Sequence, residues 1–352
     1  MSRRITQSEW NAFVARQPHA DFLQSWEWGE NAYREDQTDI LRITYPDTGD
    51  IRACCQLIQR GEGTPFHYWY APGGPIAEST TDAEAALLQM IAEARLRFAP
   101  FLRIEPTHAL LDVRRFVRVA ADRPSTTRIL DLSRGDDFVF DALHEKTRYN
   151  IRLAERKGVV IREIFSVGED HPDREFFETC MKRFRDLLRE TARRGDFSLH
   201  PWVHYGHLID SFSRAGAEIV IEPNTPAIRF YTAWYDSNMI AATLCMAFGD
   251  TVSYLHGASS YDHRAVMAPA LLQWHAIRDA AERGYRYYDL WGVAPKGAAP
   301  DNPWAGFTRF KEGFGGQIVT YPGTFDIPLR PIQYWMYSFG RSINRFLRRP
   351  IR

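Results

Sequence analysis

The signatures of several common enzyme classes are missing from this sequence of 352 residues. It has no glycine-rich phosphate loop with its lysine, no dinucleotide-binding glycine pattern and no His-Glu-x-x-His pair. A nucleophile elbow is absent as well. Phosphoryl transfer, hydride transfer and zinc hydrolysis therefore lose support, and we expect neither a metal ion nor an organic cofactor.

An excess of charge of either sign is also missing. Lys plus Arg and Asp plus Glu each number 44, so the formal net charge is zero and any phosphate binding must be local. Cysteine is scarce, and its four positions show no metal-ligand spacing. We expect buried thiols at these positions, which are Cys54, Cys55, Cys180 and Cys245.

No long apolar run begins the chain. Two arginines in the first ten residues are followed by no apolar stretch, which predicts neither a signal peptide nor a membrane span and favours a cytoplasmic location. The segment 330–352 has the composition of a basic amphipathic helix. Packing of this helix on its own domain is the favoured prediction, and peripheral contact with the inner face of the plasma membrane is the alternative.

The residues that are present predict a folded α/β protein. Hydrophobic residues make up 45% and aromatic residues 14% of the chain, and its length suggests two compact units. Periodicity and turn residues predict helices at 81–98, 136–157, 173–193 and 269–283, the last opened by Pro269 and stopped by Gly284. Ser25 can cap a further helix, which carries two tryptophans. Strands are predicted at 40–45, 52–59, 66–70, 101–105, 159–164, 218–221, 228–235, 239–248, 251–256 and 285–290, and Gly249-Asp250 indicates a tight turn between two of them. The segment 291–307 is predicted to be a loop, and a domain boundary is expected near residues 132–137.

Four segments contain residues suited to ligand binding. The first carries Gln24, which can donate to and accept from an amide, and Trp28, a flat wall. A second is the glycine turn at 73–75. The third places Arg148, Arg152 and Arg156 on one helix face, which suits phosphates, although a solvated helix face is the simpler interpretation.

The fourth segment, 307–316, follows the Gly-, Pro- and Ala-rich loop and places Lys311 between Phe310 and Phe314. A lysine held against aromatic walls stabilises an oxyanion or phosphate better than a lysine in water.

Taken together, these segments resemble the Fem family of aminoacyl-tRNA-dependent transferases, which form the cross-bridges of peptidoglycan. The resemblance extends over nearly the whole chain and rests on residues 22–29, 73–75, 103–106, 148–158, 254–259, 287–292 and 306–315. It implies two tandem acetyltransferase-like (GNAT-like) domains, without the long helical hairpin of the staphylococcal bridge-forming members. The first domain would comprise residues 1–135 and 322–352 and bind the cell-wall precursor. The second, 136–321, would bind the aminoacyl-tRNA.

The resemblance also implies roles for individual residues. Lys311 matches the family lysine near the acceptor end of the tRNA, and Glu105 matches a carboxylate position. Further residues match positions that contact the precursor: Ser198, His200, Tyr205, Tyr254 and His256. The implied partners are aminoacyl-tRNA and a peptidoglycan precursor, either lipid II or UDP-MurNAc-pentapeptide, bound by a monomer.

Two positions depart from the family pattern. His200 stands where an arginine is expected, and Ala32 stands where many members carry a phosphate-binding lysine. Both changes remove positive charge, so a diphosphate would be held differently in this protein. Arg34 or an arginine of the 148–156 stripe is the candidate replacement.

Two alternatives stay open. An acyl-CoA-dependent N-acyltransferase would use the same domain type, but it needs an amide cradle for pyrophosphate, for which residues 259–269 are a poor match. A non-catalytic peptidoglycan- or RNA-binding module would keep the fold without turnover, and the presence of Lys311 argues against it.

Overall fold

The computed structural model describes residues 5–107, 116–120, 123–165, 171–195, 198–212, 223–299, 302 and 304–347, with side chains in the last helix as far as Arg341. The described residues divide into two units. The first unit comprises those of Met1–Gln17, Leu23–Ser125 and Tyr321–Arg352. The second comprises those of Pro18–Phe22 and Thr126–Thr320. The longer segment of the second unit begins at Thr126, before the boundary expected near residues 132–137.

The first unit is built around a sheet of seven strands in the order β1-β2-β3-β5-β14-β6, with β4 paired to β2. Its strands are β1 (Ile40–Tyr45), β2 (Ala53–Arg60), β3 (Tyr68–Ala71), β4 (Ile76–Ala77), β5 (Phe101–Ile104), β6 (Val117–Val119) and β14 (Thr324–Pro328). Its helices are α1 (Gln7–Ala15), α2 (Trp26–Asp36), α3 (Thr80–Leu96) and α10 (Pro331–Leu347).

Side-chain caps fix where these helices begin. The Ser25 hydroxyl accepts a hydrogen bond from Trp28 N, as the sequence predicts for the start of α2. The Ser79 hydroxyl caps α3 in the same way by accepting from Asp82 N. Both Cys54 and Cys55 are buried in β2, which confirms the prediction of buried thiols there.

The second unit contains another sheet of seven strands, in the order β13-β7-β12-β11-β10-β9-β8. Its strands are β7 (Thr126–Asp131), β8 (Val160–Ile164), β9 (Ala227–Tyr235), β10 (Asn238–Phe248), β11 (Thr251–Ser259), β12 (Tyr287–Gly292) and β13 (Gln317–Thr320). Its helices are α4 (Asp136–Ala142), α5 (Glu145–Arg156), α6 (Arg174–Gly195), α7 (Trp202–Phe212), α8 (Ala268–Glu282) and α9 (Ala305–Glu312).

The antiparallel run β9-β10-β11 and the helix that follows it agree with the sequence. β10 ends at Phe248 and β11 begins at Thr251, so Gly249 and Asp250 form the predicted tight turn. Pro269 lies in the first turn of α8, where its missing N–H costs nothing. Gly284, with φ +82°, follows the last residues of α8 and ends it.

Two sequence predictions differ from the structure, and a third falls outside the described residues. The single helix predicted at 136–157 is wrong, because Leu143 is extended and His144 starts a new helix by accepting from Lys146 N at 3.2 Å. The loop predicted at 291–307 is shorter, since β12 extends to Gly292 and α9 begins at Ala305. The strand predicted at 218–221 lies outside the described residues.

Candidate functional site

Two central strands of the second sheet separate along their length. β11 and β12 run parallel and pair only where residues 251–253 face residues 287–289. β11 nevertheless continues to Ser259 and β12 to Gly292. Beyond the paired residues, the described parts of these strands share no ladder, so a side chain can enter between them.

Lys311, near the end of α9, reaches this gap. Its Nζ donates a hydrogen bond to the Gly292 carbonyl oxygen at 2.6 Å and lies 5.5 Å from the centroid of the Tyr254 ring. The side chain is only 8% exposed. Burial lowers the pKa of Lys311 to about 8, and the Asp289 carboxylate opposes that shift. The amine therefore stays mostly protonated at neutral pH, in surroundings where a charge interacts more strongly than in water.

The backbone beside Lys311 is strained. Trp291 has φ +61°, in the left-handed region that a bulky residue rarely adopts. Asp289 supports this conformation, because its Oδ1 accepts from Trp291 N at 2.7 Å and from the Thr127 hydroxyl. Strain of this kind costs roughly 1–3 kcal/mol and persists where surrounding contacts enforce it, often at functional sites. Here the strained residue directly precedes Gly292, whose carbonyl oxygen accepts from Lys311.

A basic cavity of about 790 Å³ opens on the same unit. The starts of α5 and α8, the end of β11 and helix α9 contribute to its wall. Its lining includes one acidic side chain, Glu312, and four basic ones, Lys146, Arg194, Arg264 and Arg309. A concave site with this balance of charge suits an anionic ligand.

Two phenylalanines that lie before and after Lys311 in the sequence form an aromatic wall of the cavity. Phe310 and Phe314 both line the cavity, and their rings meet edge to face with centroids 5.2 Å apart. Gly313 lies beside them, and a Cβ at this position would come 2.4 Å from the Thr147 hydroxyl. The absence of a side chain at Gly313 thus leaves room for Thr147 where α9 meets α5. Helix α9 thus presents Phe310 to the cavity and Lys311 to the strand gap.

A cluster of histidine and tyrosine rings surrounds His256, in the second half of β11. The His256 ring centroid lies 4.9 Å from that of Tyr205 and 5.9 Å from that of His200. His204 stacks on His200 at 4.4 Å. Burial, reinforced by the neighbouring histidines, lowers the pKa of His256 to about 3. His256 is consequently neutral at physiological pH and offers hydrogen bonds, not positive charge.

The structure therefore brings together three residues that the resemblance implies for precursor binding: His200, Tyr205 and His256. Burial raises the pKa of Tyr205 to about 12, so its hydroxyl remains protonated. Burial likewise raises the pKa of Tyr254, whose ring packs over Gly257 so tightly that a Cβ there would overlap it. Ser198 is exposed two residues before His200.

Glu105 is buried in the first unit, just after β5. One of its carboxylate oxygens accepts from the Tyr70 hydroxyl at 2.6 Å, and the other from the Thr324 hydroxyl at 2.8 Å. Arg123 N adds a longer contact of 3.4 Å. Both carboxylate oxygens are thus engaged within the first unit.

Gln24 and Trp28 differ in exposure. Gln24 is 0% exposed, and its amide donates to Pro72 O at 2.7 Å and accepts from Gln56 N at 2.7 Å. These bonds hold the turn after β3, so its burial does not support the contact with a substrate that the sequence suggests. Trp28 is partly exposed on α2. Ala32 is buried in the same helix, and Arg34 is exposed.

The arginine stripe of α5 lies apart from the basic cavity. Arg148 donates to the Asp141 and Leu143 carbonyls and so holds the junction of α4 and α5. Arg152 and Arg156 are exposed, with their guanidinium groups near the rings of Phe140 and Tyr149. The cavity is instead lined by the side of α5 that carries Lys146, Thr147 and Asn150.

Sequence reasoning missed the basic residues that line the cavity. Arg264 lies in residues 259–269, which the sequence suggests only as a poor cradle for CoA pyrophosphate. Arg309 directly precedes Phe310 and Lys311. Lys146 and Arg194 come from α5 and α6. Their convergence depends on the order of strands in the sheet, which local sequence does not reveal.

In the described part of the chain, no group of three or more His, Cys, Asp or Glu side chains is arranged to hold a metal ion. Within the same residues, no helix has the length and apolar character needed to cross a bilayer.

Comparison with known proteins places this fold among acyltransferases. The pattern of the FemAB family matches residues 117–222 and 227–341, well over half of the chain. A lipid II:glycine glycyltransferase of Staphylococcus haemolyticus (strain JCSC1435) is 21% identical, over 94% of this chain and 93% of the relative.

Solved structures agree on the architecture. The crystal structure of FemX matches with a TM-score of 0.78 and 17% identity, covering 95% of this chain and 98% of that one. A tandem GNAT protein of the clavulanic acid pathway matches with a TM-score of 0.50 and 13% identity, covering 91% of this chain and 94% of that one. The sequence-based prediction of a mixed α/β fold with two tandem GNAT-like domains is confirmed.

Proposed function

The chain belongs to the FemAB family, and from that premise we propose that it is an aminoacyltransferase of peptidoglycan cross-bridge biosynthesis. It moves an amino acid from aminoacyl-tRNA to the side-chain amine of the stem peptide of a precursor, either lipid II or UDP-MurNAc-pentapeptide. The similarity to a lipid II:glycine glycyltransferase along 94% of the chain supports this reaction class.

One observation carries the proposal: the buried ammonium of Lys311 in the gap between β11 and β12. Its Nζ is held by Gly292 O at 2.6 Å against the Tyr254 ring. Attack on an ester creates negative charge on the carbonyl oxygen, and a fixed cation in a water-poor site stabilises that charge. Lys311 is the group that we assign to this role.

The chemistry needs no covalent intermediate on the enzyme. The neutral amine of the stem peptide attacks the ester carbonyl, a C–N bond forms, and the C–O bond to the tRNA ribose breaks. The amine loses a proton, and the ribose hydroxyl leaves with one, so atoms and charge balance. Orientation of the two substrates contributes up to roughly 7–11 kcal/mol in favourable cases, which makes a strong general base unnecessary.

The two substrates divide between the units in this proposal. The basic cavity, with Phe310 in its wall, receives the anionic donor in the second domain, residues 136–321. Arg148, Arg152 and Arg156 would contact more distant tRNA phosphates. For the precursor, the matched positions in the first domain, residues 1–135 and 322–352, are Trp28 and the carboxylate Glu105, while the buried Gln24 supports the turn after β3. The matched positions in the second domain are Ser198, His200, Tyr205, Tyr254 and His256. The protein acts as a cytoplasmic monomer at the inner face of the plasma membrane.

A transfer assay tests the proposal. The purified protein is incubated with a complete set of charged tRNAs and either lipid II or UDP-MurNAc-pentapeptide, and the product is identified by mass spectrometry. We expect the mass of one acceptor to rise by an aminoacyl residue, with the addition lost in Lys311→Ala. Product formation from acetyl-CoA, without transfer from any charged tRNA, would instead assign an acyl-CoA-dependent activity. Binding without turnover would assign a non-catalytic module.

A further inference from the structure

Helix α10 has an aromatic face that packs on the first unit. The Tyr337 ring centroid lies 4.7 Å from that of Phe101 and 5.9 Å from that of Tyr68. Tyr334 packs edge to face on Phe101 at 5.2 Å, and its hydroxyl lies 3.2 Å from Asp326 Oδ2. Asp326 is itself bound by Arg103 in a buried ion pair. The helix is thus firmly attached through one face.

The opposite face of α10 is also apolar, but it is exposed. Ile332 is 78%, Trp335 64%, Met336 48% and Phe339 55% exposed. Their spacing of three, four and seven residues places them in one stripe along the helix. The Trp335 and Phe339 rings stack at 5.4 Å, which gives the stripe a flat aromatic centre. We call these four side chains the outer stripe.

The segment that carries the outer stripe is strongly basic in its sequence. Residues 330–352 contain six arginines and no Asp, Glu or Lys, although the whole chain has a net charge of zero. At the start of the helix the Arg330 guanidinium lies 4.8 Å from the ring of Phe98, which is itself 65% exposed. Phe98 thus adds another exposed aromatic ring beside the first turn of α10.

We infer that the outer stripe binds the surface of an anionic lipid bilayer. An exposed apolar stripe with Trp and Phe, carried by a segment whose charged side chains are all arginines, is typical of a helix that binds in the interface of an anionic membrane. The charge distribution argues against a second copy of this chain as the occupant. Residues 330–352 offer no carboxylate that would neutralise the arginines of an identical helix in a twofold contact.

This inference takes from the proposed function only the location of the acceptor at a membrane. It adds a binding surface that is separate from the Lys311 site and requires no turnover. A lipid-linked acceptor would be concentrated near the protein by such docking, whereas a soluble acceptor would be unaffected.

Vesicle co-sedimentation tests the inference on the full-length protein without substrates. Phosphatidylcholine vesicles are compared with vesicles that also contain phosphatidylglycerol, using wild type and the outer-stripe variant Trp335→Ser/Phe339→Ser. The matched control is Leu88→Ser/Val160→Ser, which removes side chains that are 68% and 52% exposed elsewhere on the protein. Thermal unfolding confirms that each variant is folded.

We expect wild type and the control to sediment with anionic vesicles. The outer-stripe variant should bind about tenfold or more weakly, because two aromatic side chains can no longer bury their surface in the bilayer. Equal binding of the outer-stripe variant, or no binding of wild type, would overturn the inference. A wild-type dimer that the outer-stripe substitutions dissociate would assign the stripe to a second copy and overturn it as well. Transfer to UDP-MurNAc-pentapeptide should be unchanged in the variant, so failure of the proposed function would be recognised separately.

Discussion

At the scale of single residues, Lys311 and Glu105 are each held by side chains from distant parts of the chain. The Lys311 ammonium lies against the ring of Tyr254, which belongs to β11 and not to the Phe-Lys segment of α9. Phe310 and Phe314 contact each other instead. Glu105 is bound by two hydroxyl groups, from β3 and from Thr324, that no local pattern connects to it.

Substitution of Lys311 should reduce transfer far more than substitution of Glu105. Loss of an oxyanion-stabilising group typically costs roughly 10²–10³ in kcat, so we expect a decrease of that order in Lys311→Ala. Glu105→Gln should retain activity within about tenfold, because orientation makes a general base dispensable in this reaction. Steady-state kinetics with charged tRNA would measure both. Wild-type activity in Lys311→Ala would contradict the assigned role.

The lowered pKa of Lys311 should appear in protein stability. Unfolding returns the pKa from about 8 to 10.5, so between these pH values the unfolded chain binds more protons than the folded protein. The free energy of unfolding contributed by Lys311 therefore increases as pH rises from 8 to 10.5, by on the order of 3 kcal/mol.

Lys311→Met, which lacks the titrating group, should show none of this increase. The measurement is urea unfolding of wild type and variant at several pH values, and the difference between the two proteins isolates Lys311 from other titrating groups. A difference that stays constant from pH 8 to 10.5 would show that the Lys311 pKa is close to its ordinary value.

At the scale of secondary structure, the sequence predicts elements with clear start and stop signals and misses those defined by pairing partners. Ser25, Pro269 and Gly284 mark helix ends that the structure confirms. The sequence does not predict β7, β13 and β14, because these strands gain their stability from pairing with strands distant in the chain. The break between α4 and α5 was missed because its cap is a histidine, an uncommon capping residue.

Two basic surfaces of the second unit are alternative candidates for binding tRNA. Lys146 and Arg309 line the cavity, whereas Arg152 and Arg156 lie on the exposed side of α5. We expect Lys146→Ala/Arg309→Ala to raise KM for aminoacyl-tRNA and to lower the slope of log affinity against log salt by about 1–2, because contacts to phosphates release counterions.

The charge-matched control is Arg152→Ala/Arg156→Ala, for which we expect a smaller change in KM. Binding of charged tRNA measured over a range of salt concentrations would compare the two variants. A larger effect of the Arg152/Arg156 pair would move the main tRNA contact to the exposed face of α5 and leave the cavity without this role.

At the scale of the whole molecule, the domain organisation is predicted by several motifs taken together and by no single motif. Composition predicts two units, but the return of residues 321–352 to the first unit follows only from the resemblance and not from periodicity. The net charge of the chain is zero, although the cavity of the second unit and the C-terminal segment of the first are both basic. Net charge is an average over the chain, so it cannot report how charges are distributed in space.

Thermal stability in the presence of each donor should show whether the protein binds acetyl-CoA or aminoacyl-tRNA. A ligand that binds only the folded state raises the free energy of unfolding by RT ln(1 + [L]/Kd), which is about 2.7 kcal/mol at a hundredfold excess over Kd. Acetyl-CoA needs an amide cradle for its pyrophosphate, and at the start of α8 Pro269 lacks an N–H while Ala270 N already donates to Met267 O at 3.0 Å. We therefore expect no increase in melting temperature with acetyl-CoA and a clear increase with a non-hydrolysable aminoacyl-tRNA analogue. A clear increase with acetyl-CoA alone would favour the acyl-CoA-dependent alternative, because the cavity would then have accepted a diphosphate without tRNA.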